Sequence, residues 1–250
     1  MAFVSDTAIL WRYEVKRLLR SPALIAVGLV QPLLWLVLYA PLLNQVSVPG
    51  VGQEQMFDRF APGLLVLLAL FGSLYTGFGM VSELRSGVVE RLAATRMSRA
   101  ALIVAKLLRD VVIVLPQALV LLVIAFAMGL DFSAGGLLLA LVLFVLITML
   151  TAAFSYAIAL AVRDENVLSQ LLGFLSLPLL LLSGVVLPIS LAPDWLRVVA
   201  QVNPFYHVVE ASRALFAGAF TDSSVPIAFG VISVLTLLTV RWSIGSLRNV

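Results

Sequence analysis

Residues 137–161 read LLLALVLFVLITMLTAAFSYAIALA, without one charged side chain. A hydrocarbon core about 30 Å thick is crossed by roughly 20 apolar residues of helix. In lipid every backbone N–H and C=O must find a partner within the protein, which leaves helices and closed barrels. A barrel would show ten-residue segments of alternating polarity, and these are absent, so 137–161 reads as a spanning helix. Working outward, five more segments pass the same test: 23–43, 61–82, 108–129, 168–188 and 224–242. The expectation is an all-α membrane protein with six transmembrane helices in a single domain, 1–250. Composition agrees, at 62% hydrophobic and 12% charged residues, where a soluble domain carries about a quarter charged. The chain has no cysteine, so disulfide and thiolate chemistry are excluded.

Six spans place both termini on one side. Thirteen of the sixteen Lys and Arg residues fall there, and only Arg59, Arg197 and Arg213 on the other. That bias predicts cytoplasmic termini, with the chain multi-pass in the cytoplasmic (inner) membrane. The first apolar run is longer than a signal-peptide core and lacks a small-x-small cleavage site, so it reads as a retained span.

The polar segments between spans are unequal. Residues 5–20, SDTAILWRYEVKRLLR, put Trp11, Val15, Leu18 and Leu19 at helical spacing, with Arg12, Lys16 and Arg20 on a second stripe. Ser5 or Asp6 suits the cap and Ser21-Pro22 the stop, so 1–22 is expected to be an amphipathic helix in the membrane interface. Residues 82–110, SELRSGVVERLAATRMSRAALIVAKLLRD, are too long for a mere connector. Their mixed charges suit a protein partner, and Ser98 is placed to cap a helix starting near Arg99. A short turn is expected at Arg163–Asn166.

The clear spans hold no acidic or basic residue in their central turns, which counts against ion-coupled transport. Small residues line the second span (Gly72, Ser73, Thr76, Gly77, Met80) and the fourth (Thr148, Thr151, Ala152, Ser155), which suits close helix packing within one subunit, with a subunit interface or a weakly polar translocation path as the other readings. Pro32, Pro116 and Pro178 are candidate kinks.

Residues 188–223 are too interrupted to span and too apolar for a free loop. Pro193-Asp194-Trp195 starts one short helix; Asn203 caps a second, with Pro204 at its first position. On the second helix Phe205, Val208, Val209 and Leu215 form an apolar surface, and His207, Glu210 and Arg213 follow three apart as an expected ion-pair ladder. Two ligands are too few for a metal, and no nucleophile or HExxH accompanies the one histidine. A re-entrant helix pair is the expected structure.

Residues 183–218, SGVVLPISLAPDWLRVVAQVNPFYHVVEASRALFAG, with the charged stretch 83–109 and six spans, resemble the ABC-2 type permeases. These are membrane subunits of ATP-binding-cassette exporters, and the closest likeness is to the daunorubicin-resistance-like drug exporter subunits. The resemblance covers the whole chain, with Met97 where many relatives carry proline. It implies that the 83–107 loop and the N-terminal helix meet a separate ATPase subunit, through Glu83, Arg85, Gly87, Glu90, Arg91, Ser98, Arg99, Arg12 and Lys16. It also implies an outer gate or brace at Asn203, Pro204, His207, Glu210 and Arg213. The chain has no GxxxxGK[ST] phosphate loop. It is therefore expected to be a transport subunit rather than an enzyme and to bind no cofactor or metal itself, with ATP and Mg on the partner. A second permease copy and membrane lipids are the other expected partners, and nucleic acid is not. Phe71, Tyr75, Phe78 and Tyr156 are candidate contacts for an amphipathic, drug-like or lipid-like cargo. A polysaccharide or glycolipid exporter is the nearest rival reading; an ion-coupled secondary transporter is the rival from another class.

Overall fold

The computed structural model describes residues 2–20, 53–93, 97–185, 189 and 192–247, together with 28, 30, 33, 34 and 36–38. Most of the expected first span, Ser21-Pro22, Pro32, Pro188 and the side chain of Glu90 lie outside the described residues. Every regular element among those described is a helix: α1 (Ala2–Leu19), α2 (Gln53–Leu74), α3 (Gly77–Arg85), α4 (Val88–Ala93), α5 (Arg99–Ala127), α6 (Ala134–Val162), α7 (Glu165–Leu181), α8 (Asp194–Val202), α9 (Pro204–Phe216) and α10 (Ser224–Ser246).

Among the described residues four spans are long and apolar enough to cross a membrane: Phe60–Arg85, α5, α6 and α10. The opening stretch becomes the hub. α6 packs against α10, α2, α3, α5 and α9, and the small residues Ala140, Ala152, Ala153, Ala157 and Ala159 let those neighbours approach. The fifth expected span is shorter than predicted. α7 stops at Leu181, where Ser183 N–H bonds the Leu180 carbonyl and Gly184 takes a left-handed φ of 77°.

The second span is not one continuous helix, contrary to expectation. It breaks between Leu74 and Gly77, and α6 repairs the break. The Ser155 hydroxyl donates to the Leu74 carbonyl and accepts the Gly77 N–H at 3.0 Å. Thr76 Oγ1 donates to the Ser73 carbonyl (2.8 Å), and Ser73 and Thr151 join their hydroxyls. The two small-residue faces thus meet inside one subunit, where hydroxyls replace the lost helical hydrogen bonds that lipid could not supply.

The helices have two distinct ends. At one, α1, α4, the start of α5 and the end of α10 converge, and Arg99 donates to the Leu247 carbonyl at 3.3 Å. At the other, α9 packs on α6, and Asn203 at its start reaches α7. Ser133 N–H bonds the Phe216 carbonyl (3.0 Å), and Asn203 Nδ2 bonds the Leu179 carbonyl (2.9 Å).

Candidate functional site: an ionic joint beside a basic loop

α1 starts at Ala2, so neither Ser5 nor Asp6 caps it. Asp6 instead accepts the Ser98 N–H at 3.3 Å, at the cap of α5, where the Ser98 hydroxyl itself makes no capping bond. Two turns on, Glu14 accepts from Lys106 at 3.0 Å. Between them, Leu10 and Leu102 line one small cavity. Each of these pairs is 92 positions apart, so α1 runs parallel to α5 in a fixed register, four residues per step on both. The apolar stripe of α1 is accordingly covered by protein. Leu10 and Leu18 are buried and Trp11 is half-buried, whereas Leu19 is exposed. Arg12, Lys16 and Arg20 face outward.

Glu14 sits in the middle of that buried row because five other charged groups wait there. Lys106 also bonds Glu83 of α3 at 2.6 Å, and Arg17 takes the second Glu83 oxygen at 2.9 Å. Arg109 reaches the second Glu14 oxygen at 3.1 Å, Asp110 at 2.7 Å and the Tyr156 hydroxyl of α6 at 2.8 Å. Tyr156 closes the network by donating to Asp110. Three carboxylates face three cations, so the formal charge is zero. Lys106, Asp110 and Tyr156 are each at most 1% exposed. Burial pushes the Glu14 carboxyl up, but Lys106 and Arg109 outweigh it and hold the group below the usual carboxylate range.

Counting the roughly 20 residues that cross a bilayer core back from Ala127 puts Asp110 near its boundary. The central turns stay uncharged, as the sequence indicated, but the ionisable groups reach the edge of the span. The cluster was not anticipated as a unit. Its signal was Glu14 interrupting the apolar row Leu10–Leu18, and Lys106 lying one turn before Asp110.

The other expected contact residues are placed as follows. Glu83 is buried with both oxygens engaged, and Arg85 pairs with Asp164 (3.3 Å) and Glu165 (3.6 Å) across to α7. Asp164 caps α7, and Arg163 takes the left-handed conformation before it. Gly87 has φ 67° in the turn between α3 and α4, and Arg91 steadies that turn by donating to the Ser86 and Gly87 carbonyls. Arg99 and Arg91 remain exposed. Tyr75 is exposed and stacks on Phe78 at 6.0 Å, while Phe71 and Phe78 are half-buried against the core. Tyr156 does not join them, because its hydroxyl is committed to the joint.

At the far end the two short helices form as expected. Asn203 caps α9 by accepting the Phe205 N–H (3.1 Å), with Pro204 at the first position. The ladder is shorter than predicted. Arg213 bonds Glu210 (2.6 Å) and the Gly184 carbonyl (2.8 Å), while His207 turns back to the Gln201 carbonyl (2.8 Å), away from Glu210. Among the described residues no cluster of three metal-ligating side chains exists.

An all-helical chain with several apolar spans and a paired ionic network at one end defines a polytopic membrane protein built around packed helices. Residues 5–217 match the ABC-2 type transporter family, and the chain belongs to it. It is 27% identical over 220 residues to "Putative transport permease ycf38" of Porphyra purpurea, covering 86% of this chain and 76% of that one. The ycf38 chain of Cyanophora paradoxa is 26% identical over 239 residues, covering 93% and 82%. The daunorubicin resistance ABC transporter permease protein DrrB1 of Streptomyces coeruleorubidus is 21% identical over 218 residues, covering 85% and 76%. Membership implies a transport permease with a partnering ATP-binding subunit.

Proposed function

We propose that this chain is the permease of an exporter that moves an amphipathic drug-like or lipid-like substrate outward across the cytoplasmic membrane. A separate subunit would bind and hydrolyse ATP with Mg, and two permease copies would line the pathway. The observation that carries the reading is the family match, which runs unbroken through α1, the basic loop and the far-end helices. The exposed cations Arg12, Lys16, Arg91 and Arg99 supply a surface for the ATPase at the α1 end, which the charge bias assigns to the cytoplasm. α8 and α9 would be the re-entrant pair that closes the outer end, braced by Asn203, Pro204, Glu210 and Arg213. Phe71, Tyr75 and Phe78 offer apolar contact to cargo, and their stacking surface is what a glycolipid or polysaccharide cargo would also use.

The buried Asp110–Arg109–Tyr156 group keeps ion coupling as a second reading, since paired ionisable groups at membrane depth also mark proton paths. Full pairing favours a structural role over a titrating one. Purification in gentle detergent, scored for a co-purifying ATP-binding subunit and vanadate-sensitive hydrolysis, separates the two. Both signals support the exporter. Transport driven by an ion gradient without either would overturn it. Reversing Arg91 to Glu should weaken ATPase association or uncouple hydrolysis from export, and unaltered association and coupling would remove the loop from the docking surface.

A further inference from the structure

We propose that α8 lies on the outer leaflet of the bilayer, with Trp195, Val198, Val199 and Val202 set among the lipid acyl chains. The proposal borrows from the reading above only which end is the outer one, and it is independent of the cargo.

α8 and its cap Asn203 divide into three stripes. Trp195, Val198, Val199 and Val202 follow at i, i+3, i+4 and i+7, and all four are exposed, Val202 by 82%. Asp194, Arg197 and Gln201 form a second exposed stripe, on which Arg197 and Asp194 pair with each other. Leu196, Ala200 and Asn203 form the third; Leu196 is half-buried, and the other two are buried. One stripe therefore meets the protein, one is polar, and one is apolar and uncovered among the described residues. A bilayer interface supplies the two missing surroundings at once, water above and acyl chains below.

Both ends of α8 are held at the rim of α7. Asn203 donates from Nδ2 to the Leu179 carbonyl at 2.9 Å. Ahead of α8, Ala192 N–H bonds the Ile189 carbonyl, and Ile189 lies against Gly184, where an added Cβ would stand 3.1 Å from its Cγ1. Leu179 and Gly184 are only five residues apart, whereas a nine-residue helix is about 13 Å long, so α8 runs along the rim rather than down through the bilayer. Counting from Glu165, at the opposite end of α7, puts Leu179 roughly 21 Å along a core about 30 Å thick, and the rim that follows reaches the outer boundary.

A second copy of this chain is the competing cover. Stable interfaces bury about 800 Å² on each partner, far more than four side chains on two and a half turns present. Widening the contact would bury the polar stripe, including the Asp194 side chain, which is 93% exposed. Lipid makes no such demand.

The chain has no cysteine, so single nitroxides can be placed without background. Val198→Cys, Val202→Cys and Gln201→Cys are labelled in the full chain in nanodiscs. Leu237→Cys on the exposed face of α10 gives the lipid reference and Ser223→Cys the water reference. Collisions with dissolved oxygen report lipid, and collisions with a nickel chelate report water. Labels at 198 and 202 should match Leu237, and the label at 201 should match Ser223. Nickel access at 198 and 202 would overturn the proposal. So would exclusion of both reagents there, and spin–spin broadening would then identify the second copy as the cover. A label-free comparison keeps the test open if a labelled variant does not fold. Lipids brominated along their acyl chains should quench the tryptophan emission that is lost in Trp195→Phe, and unquenched emission would count against lipid contact. In intact cells an impermeant thiol reagent should reach Gln201→Cys. Labelling only after permeabilisation would overturn the outer-leaflet assignment and the end assignment it borrows, while the oxygen result would still decide the contact itself.

Discussion

Tyr156 and Ser243 are both buried hydroxyls, and they predict opposite outcomes when removed. Tyr156 donates to Asp110 and accepts from Arg109, whereas the Ser243 hydroxyl has no partner among the described residues. Tyr156→Phe leaves a fully buried carboxylate short of a donor, and should cost about 1–3 kcal/mol. Ser243→Ala removes an unsatisfied group and should be nearly neutral. Thermal midpoints in one detergent check both, and equal losses would argue that the joint adds nothing beyond packing. Legibility at this scale was uneven. Asn203 and Pro204 were readable because a cap and an N1 proline act on their immediate neighbours. The joint was not, since Glu14 and Lys106 are 92 positions apart and nothing local reveals that they meet. His207 was misassigned for a related reason. Helical spacing brings it near Glu210, but the turn at Asn203 offers the Gln201 carbonyl at 2.8 Å instead.

The elements themselves follow from length and polarity, and their ends do not. α6 and α10 lie within a few residues of expectation because lipid demands one unbroken apolar helix. The break in the second span depends on a hydroxyl from another helix, which periodicity cannot reveal. Glycine substitutions test that packing. A Cβ at Gly77 would lie 2.6 Å from the Ser155 hydroxyl and 2.7 Å from its carbonyl oxygen, and one at Gly136 only 1.7 Å from the Leu215 carbonyl. Gly77→Ala and Gly136→Ala should each cost about 1–3 kcal/mol by overpacking. Gly230→Ala, with nothing within 4 Å of the added atom, should gain roughly 0.5–1 kcal/mol of helix stability. The attachment of α1 should also depend on pH. Glu14 holds its proton less tightly in the fold than in the unfolded chain, so its contribution is present above the ordinary carboxylate range and lost as pH falls through and below that range. Hydrogen exchange in residues 2–20 should rise in acid before exchange in α6 does; simultaneous loss would place the acid-sensitive contact elsewhere.

For the whole molecule, orientation is the property that charge counting predicts and the helix bundle alone leaves open. In intact cells an impermeant thiol reagent should label Ser223→Cys directly, and Ala8→Cys only after permeabilisation. The reverse pattern would invert the assignment of the two ends. The parallel register of α1 with α5 bears on how the chain is made. Glu14 leaves the ribosome 92 residues before Lys106, its partner in the finished fold. At 5–20 residues per second that is a wait of about 5–20 s. During it, Glu14 and then Glu83 need water, and neither can be drawn into lipid ahead of its cations. The first helix therefore cannot dock until the start of α5 has emerged, and a nascent chain halted before residue 106 should leave it accessible to protease.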